Sequence, residues 1–435
     1  MLCFFHGGSC MDTKISVVEK GALQRVGSLF VEAFGHTPAL LVSDANTLGV
    51  AGFSVLQSLE QKGIEVRQFC FPALPQVYAD EHTIEQVRLS LEMDNSIAVV
   101  LGSGSLNDIA KRASFEMDRP YMVIATAPSV DGYTSYGAAV SIKNFKQTLP
   151  CNAPTAVVAD TEILCSSPMP MIASGFGDCM AKFTAGADWI VSDELKIQPI
   201  RQDIYQMVQK PLRQVYGAYR EIAARDKRSI GYLFDALSAS GFAMQVMHDS
   251  RPASGSEHLI SHIWEMDHLC KDGLPVSHGF KVAVGTLAIS YLYEKLQTMD
   301  FSSILSNREE SWEERENSIK QVFASDSVLE QIIPIAKSKF LEGEALQSRR
   351  REIVRVLPAI RKRCKKQLPS FETLRHTMKV VSCPVSYAEV NATKADFLRA
   401  VTGAQMIRNR YTLLDLYYEA GLFEQALASL ETMPV

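Results

Sequence analysis

The first third of the chain alternates short apolar runs with amphipathic stretches. ALLVSD at 39–44 opens on four apolar residues and reads as a buried strand. The segment from Gly49 to Gly63 reads as the helix that follows it. IEVRQFCF supplies a second strand, the periodic stretch from Asp80 to Met93 a second helix, and SIAVVLGSG at 96–104 a third strand running into a glycine turn. SLNDIAKRASF then has helical spacing, YMVIATAP is a fourth strand ending at proline, and TAVVADTEIL at 155–164 reads as one more strand. Strands that alternate with helices predict an α/β fold, a doubly wound parallel sheet with helices on both faces.

From about Ser166 the pattern changes. Helical periodicities dominate in MIASGFGDCMAKFTAGADWIV, from Tyr205 to Met247, and in HGFKVAVGTLAISYLYEKLQ, while β-branched runs become sparse. The pattern predicts a boundary near residue 165, with an α/β domain over 14–165 and an all-helical domain over 166–435. Residues 1–13, opening MLCFFHGGSC, read as an extension upstream of a natural start at Met11. They lack the charged and apolar regions of a signal peptide.

A net charge of −5 argues against a dedicated nucleic-acid binder. No apolar run approaches the roughly 20 residues that span a bilayer. Nine cysteines, an odd count with no CxxC spacing, do not make a disulfide framework and point to a reducing cytoplasm. The basic run SRRREIVRVLPAIRKRCKKQ at 348–367 has apolar residues at helical spacing. It reads as a solvated helical face, with a patch for an anionic partner as the alternative.

In a doubly wound sheet, ligands bind at the carboxyl ends of the strands. The turn LGSGSLND at 101–108 occupies such a place. Gly102 and Gly104 would admit a pyrophosphate close to the backbone, and the next helix offers its first amides. A tight strand-to-helix turn explains the same residues, and Asn107 stands where a dinucleotide fingerprint has its third glycine. TAPSVDGYTS at 126–135 follows the next strand in the same manner, with Asp131 either a ligand contact or the acceptor of an Asx turn. Asp44, closing the first strand, could accept from an adenosine ribose or cap the following helix.

Four of the nine histidines, His258, His262, His268 and His278, fall within 21 positions. His258 and His262 are four apart on one helical face, and a helix–loop–helix would bring His278 back to them. Neutral imidazoles of this kind bind zinc, nickel or iron, and a carboxylate from elsewhere would complete three ligands with an open position. Asp178 in SGFGDCMAKF is the best placed. Ordinary structural histidines remain the other reading of these positions, and His268 reads as an exposed loop residue.

GSGSLNDIAK, APSVDGYTS, SGFGDCMAKF, SGSEHLISHIWEM and HGFKVAVG resemble, in order, the motifs of sn-glycerol-1-phosphate dehydrogenases. These belong to the superfamily of metal-dependent alcohol dehydrogenases, glycerol dehydrogenases and 3-dehydroquinate synthases. The resemblance runs from about Lys14 to IRNRYTLLDLYYEAGLFEQA, and implies a dehydroquinate synthase-like fold: a nucleotide domain followed by a helical domain. It places metal ligands on Asp178, His258 and His278, and substrate contacts on Asp131, Asp178 and His262. Cofactor loops fall on Gly102, Ser103, Gly104, Ser105 and Leu106 and on Thr126, Ala127, Pro128 and Ser129, with Ser135 nearby. The family's loop is commonly GGG, and Ser103 replaces its middle glycine, a change that weakens binding if that position needs a positive φ or no side-chain volume.

The implied reaction is reversible reduction of dihydroxyacetone phosphate, a small phosphorylated ketone, to sn-glycerol 1-phosphate by NADH or NADPH. Zinc is the first expectation for the metal, and iron or nickel would fit the same ligands. Homo-oligomers are usual among similar enzymes. Alternatives are a related polyol or polyol-phosphate dehydrogenase, a lyase of the dehydroquinate synthase type, and a nucleotide-binding homologue without turnover.

Overall fold

The structure, a computed structural model, describes residues 11–142 and 145–434. The first ten residues of the expected extension lie outside the described residues. Strands β1 (Ile15–Glu19), β2 (Ala39–Asp44), β3 (Val66–Phe71), β4 (Ile97–Gly102), β5 (Tyr121–Ala125) and β8 (Ala156–Asp160) form one parallel sheet in the order β1-β8-β5-β4-β2-β3. Two further strands, β6 (Ala138–Ile142) and β7 (Phe145–Leu149), make a separate antiparallel pair. Strands β4, β5 and β8 are buried at every position, as their uninterrupted apolar runs require.

The order in which strands are added reverses between β2 and β4. From β2 the chain passes outward to β3, then crosses to β4 on the other flank of β2 and continues to β5 and β8. Val42 pairs with Val100, so Asp44 and Gly102, each two residues on, end adjacent strands at this switch point. Crevices at such points are where doubly wound sheets bind nucleotides.

Some elements differ from the sequence reading. The final strand stops at Asp160, and TEIL, expected to extend it, begins the helix Thr161–Ser166. The Asp160 carboxylate accepts the Glu162 amide at 3.0 Å and so starts a helical turn. The expected helix from Gly49 to Gly63 starts earlier, at Ala45, and passes through a wider turn at Leu48–Gly52 before Phe53–Glu60. The stretch from Tyr205 to Met247 is three helices, Gln202–Gly217, Tyr219–Ala223 and Lys227–Met247, the last capped by Asp226 through the Ser229 amide at 2.9 Å.

By its contacts the chain forms two compact units, one of residues up to Cys179 with Lys210–Ser250, the other of Met180–Gln209 with Arg251 onward. The change of pattern near 165 therefore marks where strands give way to helices, while helices beyond it still belong with the sheet. In the first unit Thr134 donates to Ser238 O at 2.7 Å, and Gln245 donates to Thr13 Oγ1 at 2.9 Å. No helix among the described residues is long and apolar enough to cross a membrane.

The second unit is helical apart from a short pair of strands, Cys270–Lys271 with Leu274–Pro275. Its basic run lies on the helix Gly343–Gln367, which buries Ile353, Val356, Leu357, Ile360 and Cys364. Several of its arginines are engaged inside the unit. Arg350 donates to Asn307 O at 2.7 Å and Glu419 O at 2.9 Å, and Arg363 pairs with Asp193 and Glu194, each at 2.7 Å. Part of the run is thus internal packing rather than a solvated face.

Candidate active site and metal centre

The two glycine-bearing loops are joined to each other. The Thr126 amide, first after β5, donates to Gly102 O at the end of β4, 3.1 Å away. Helix Gly104–Glu116 begins at once, and Ser103 stands at its N-cap without a side-chain bond to the first turn. The opening amides at Gly104, Ser105 and Leu106 have no partner within the helix, the arrangement that receives phosphate oxygens. Ser103 has φ −110°, extended backbone that any residue adopts, so the serine costs no backbone strain.

Asn107, where a third glycine was expected of a dinucleotide loop, is fully buried. Its amide donates to Gly132 O at 3.3 Å and its carbonyl accepts from Tyr121 at 3.2 Å. Lys111, one turn later, is also buried and donates to Gly132 O (2.9 Å), Ser135 O (3.0 Å) and Gly137 O (3.1 Å). Burial pulls its pKa below the ordinary lysine value, with Asp108 opposing. The helix that follows the GSGS turn therefore fixes the shape of the 126–137 loop. Ser135, expected beside the cofactor, is held with its hydroxyl on Gly132 O at 3.1 Å. Asp44 caps its own turn: it accepts the Thr47 amide at 2.8 Å, while its amide donates back to the Thr47 hydroxyl at 3.1 Å.

The loop 126–131 lies along the helix Met169–Glu194. A Cβ at Gly175 would fall 1.7 Å from Pro128 O, so only glycine lets the helix pass the loop backbone at that distance. Ser174 donates to Ser129 O at 3.2 Å, and the Asp131 amide donates to Asp178 Oδ2 at 2.9 Å. This last bond orients the fully buried Asp178 carboxylate. Asp131, predicted as a substrate contact, thus already acts through its backbone.

The same helix continues for four more turns, and its later residues set the position of the histidines. Thr184 donates to Glu257 Oε2 at 2.8 Å, and Asp188 accepts from the Ser256 amide at 2.7 Å, from Tyr293 at 2.6 Å and from the Leu413 amide at 2.9 Å. These bonds pin the N-terminus of the helix Ser256–Met266, which carries His258 and His262. Helix His278–Thr298 crosses it closely: a Cβ at Gly285 would stand 2.6 Å from Glu257 O.

As a result Asp178, His258 and His278 each offer a ligand atom within 4.8 Å of the others. Both imidazoles are oriented by carboxylates. His258 Nδ1 pairs with Glu257 at 2.7 Å, and His278 Nδ1 with Glu265 at 2.7 Å, which turns each Nε2 away from its carboxylate. Burial would raise the Glu257 pKa, but His258, the Gly255 amide and Thr184 hold it below the usual glutamate value. A carboxylate behind each histidine is the usual second layer of a metal site, and one carboxylate with two imidazoles is a borderline donor set suited to zinc or ferrous iron.

His262 lies outside this set, its ring 6.4 Å from that of His278. Burial pushes its pKa well below the ordinary value, so it is a neutral imidazole at physiological pH, and its Nδ1 has no partner among the described residues. His268 is exposed in the turn that ends the helix, with φ 51°. Sequence reasoning missed Lys111, Asp188, Glu257 and Glu265. For Glu265 a signal existed, because 258, 262 and 265 share one helical face; Glu257 could have been noted beside the first histidine.

Comparison with known proteins bears on this arrangement. Residues 17–168 match the family model described as iron-containing alcohol dehydrogenase. Proteins named NAD(P)+ glycerol-1-phosphate dehydrogenase are 38% identical over 264 residues in Geobacillus thermodenitrificans, covering 60% of this chain and 65% of that protein. In Bacillus subtilis the identity is 34%, over 62% of this chain and 69% of its relative. The chain belongs to the glycerol-1-phosphate dehydrogenase family. A relative of the same name from Methanococcoides burtonii is 30% identical over 64% of this chain and 75% of its own. The chain spans just under two thirds of the first relatives' own length, 65% and 64%.

Among solved structures, a glycerol dehydrogenase from Schizosaccharomyces pombe has a TM-score of 0.63 at 16% identity, covering 97% of this chain and 89% of that one. A 1,3-propanediol oxidoreductase has a TM-score of 0.60 at 14% identity, over 95% and 98%. The family's chain therefore shares the fold of the dehydroquinate synthase-like alcohol dehydrogenases.

Proposed function

We propose that this protein reduces dihydroxyacetone phosphate reversibly to sn-glycerol 1-phosphate with NADH or NADPH. The observation that carries the reading is the convergence of Asp178, His258 and His278, each imidazole backed by its own carboxylate, in a chain that belongs to this family. Asp178, His258 and His278 would hold one divalent cation, zinc first and iron as the family model's name suggests. When bound, such a cation supplies Lewis acidity toward a carbonyl oxygen.

The remaining chemistry belongs to the chain's own groups. The amides of Gly104, Ser105 and Leu106 receive a cofactor pyrophosphate, and Gly102 lets it approach. Thr126, Ala127, Pro128 and Ser129 line the neighbouring loop, which Lys111 and Asn107 hold in shape from behind. The Asp131 carboxylate accepts a substrate hydroxyl. His262, neutral and four residues from a ligand, holds the substrate's oxygens or relays a proton at its Nδ1. Location in the cytoplasm is part of the same reading.

The test is steady-state oxidation of NADH and NADPH by metal-replete protein with dihydroxyacetone phosphate, followed by enzymatic assignment of the product's stereochemistry. Turnover giving sn-glycerol 1-phosphate is the expected result. Absence of turnover with both cofactors after loading with zinc, iron or nickel overturns the assignment.

A further inference from the structure

The segment IRNRYTLLD, 407–415, lies beside the histidine helix, and of its residues only Leu413 has a role in what has been described. Its path is fixed at both ends within the second unit. Upstream, Gly403 packs where a Cβ would fall 2.9 Å from Ile263, the residue after His262. Downstream, Arg410 donates to Ser254 O at 2.7 Å, and the Leu413 amide donates to Asp188. Arg408 falls between these anchors, half-buried, and its charge acts on the His262 imidazole.

Arg408 has neither a hydrogen-bond partner nor a carboxylate among the described residues. Burial, together with repulsion from a second guanidinium, Arg410, pulls its pKa down. A guanidinium taken partly out of water beside another cation is costly unless an anion comes to it. Other arginines of this unit are engaged: Arg349 with Glu419, Arg350 with backbone carbonyls, Arg363 with two carboxylates. The planar fork of an arginine matches phosphate geometry in particular.

We propose that Arg408 is the residue that receives the phosphoryl group of the substrate, and so selects a phosphorylated polyol or ketone over its unphosphorylated counterpart. The assignment rests on the proposed reaction for the identity of the ligand, and on the unpaired guanidinium for the site. Arg408 is a binding and specificity residue; the carbon that changes oxidation state is left to the groups around His262.

The experiment is calorimetric titration of zinc-loaded protein with sn-glycerol 1-phosphate, with inorganic phosphate and with glycerol, for wild type, Arg408→Met and Arg408→Lys. NADH titration by fluorescence and near-UV circular dichroism serve as controls of folding. Arg408→Met is expected to weaken glycerol 1-phosphate binding by roughly ten- to a hundredfold, with NADH affinity unchanged and lysine intermediate. Glycerol binding is expected to be the same in all three proteins. Unchanged affinity for glycerol 1-phosphate in Arg408→Met overturns the proposal, as does a wild type that does not discriminate glycerol 1-phosphate from glycerol. Should the methionine variant fail to fold, Arg408→Gln carries the same comparison.

Turnover is a separate readout. A wild type that binds glycerol 1-phosphate through Arg408 but leaves dihydroxyacetone phosphate unreduced sinks the reaction and keeps this site. A wild type that reduces it, with an Arg408→Met variant of unaltered kcat/KM, keeps the reaction and sinks this site.

Discussion

Glu265 is not one of the three converging residues Asp178, His258 and His278, yet its carboxylate decides which nitrogen of His278 faces them. Replacing it by glutamine keeps the shape but removes the charge that makes the imidazole a better donor. Metal affinity of Glu265→Gln, measured by chelator competition, is expected to fall by roughly 10- to 100-fold, the usual effect of such outer residues. An unchanged affinity would detach the histidines from a metal role. The same scale shows why only part of the site could be read in advance. Asp178, His258 and His278 sit in motifs that name their chemistry, whereas Glu257 and Glu265 are marked only by their places on the helix beside the histidines. Ser103 is the reverse case. It stands out against a glycine loop, yet its extended backbone makes the departure conformationally neutral.

Two elements carry consequences of their own. Helix Met169–Glu194 passes the 126–131 loop at Gly175, with no room for a side chain. Gly175→Ala must push the loop away from the helix, at a cost of about 1–3 kcal/mol in stability. Because the displaced residues include Pro128 and Ser129, NADH affinity is expected to fall with it, which fluorescence titration beside a thermal melt would detect. On helix Lys227–Met247, half-buried Asp235 follows the fully buried Leu233 and Phe234, and burial raises its pKa to about 6. The folded state then holds a proton that the unfolded chain releases near pH 4. Stability is therefore highest below that point and declines as pH climbs through about 6. Asp235→Asn should leave Tm unchanged near pH 4 and raise it at pH 8, by a free energy of at most about 3 kcal/mol. A variant no more stable at pH 8 than the parent would show the carboxylate to be solvated. At this scale most strands were legible because apolar runs bounded by turns are unambiguous. The edge strand ISVVE, with its alternating partial exposure, and the helix hidden in TEIL were not. In the second case one aspartate, by capping a turn, outweighed the β-propensity of its neighbours.

For the whole molecule, a cation bound only by the folded chain adds RT ln(1 + c/Kd) to its stability, where c is the free cation concentration. Removing it with a chelator should lower Tm, and returning zinc should restore it; at a hundred times the dissociation constant the difference is about 2.7 kcal/mol. This readout needs no substrate, and a melt indifferent to chelation and zinc would contradict the metal centre. The fold class could be read from the alternation of elements, but not the grouping of 210–250 with the sheet. Helical periodicity records that a face is buried and is silent about what buries it.

That grouping has a bearing on biogenesis. Thr13 donates to Pro154 O, 141 residues away, and accepts from Gln245, 232 residues away. A nascent chain leaving the ribosome therefore presents its first strand long before either partner has been translated. At ordinary elongation rates the wait is on the order of ten seconds or more. Through that interval the apolar margin of a half-built sheet is a surface that molecular chaperones would be called on to shield.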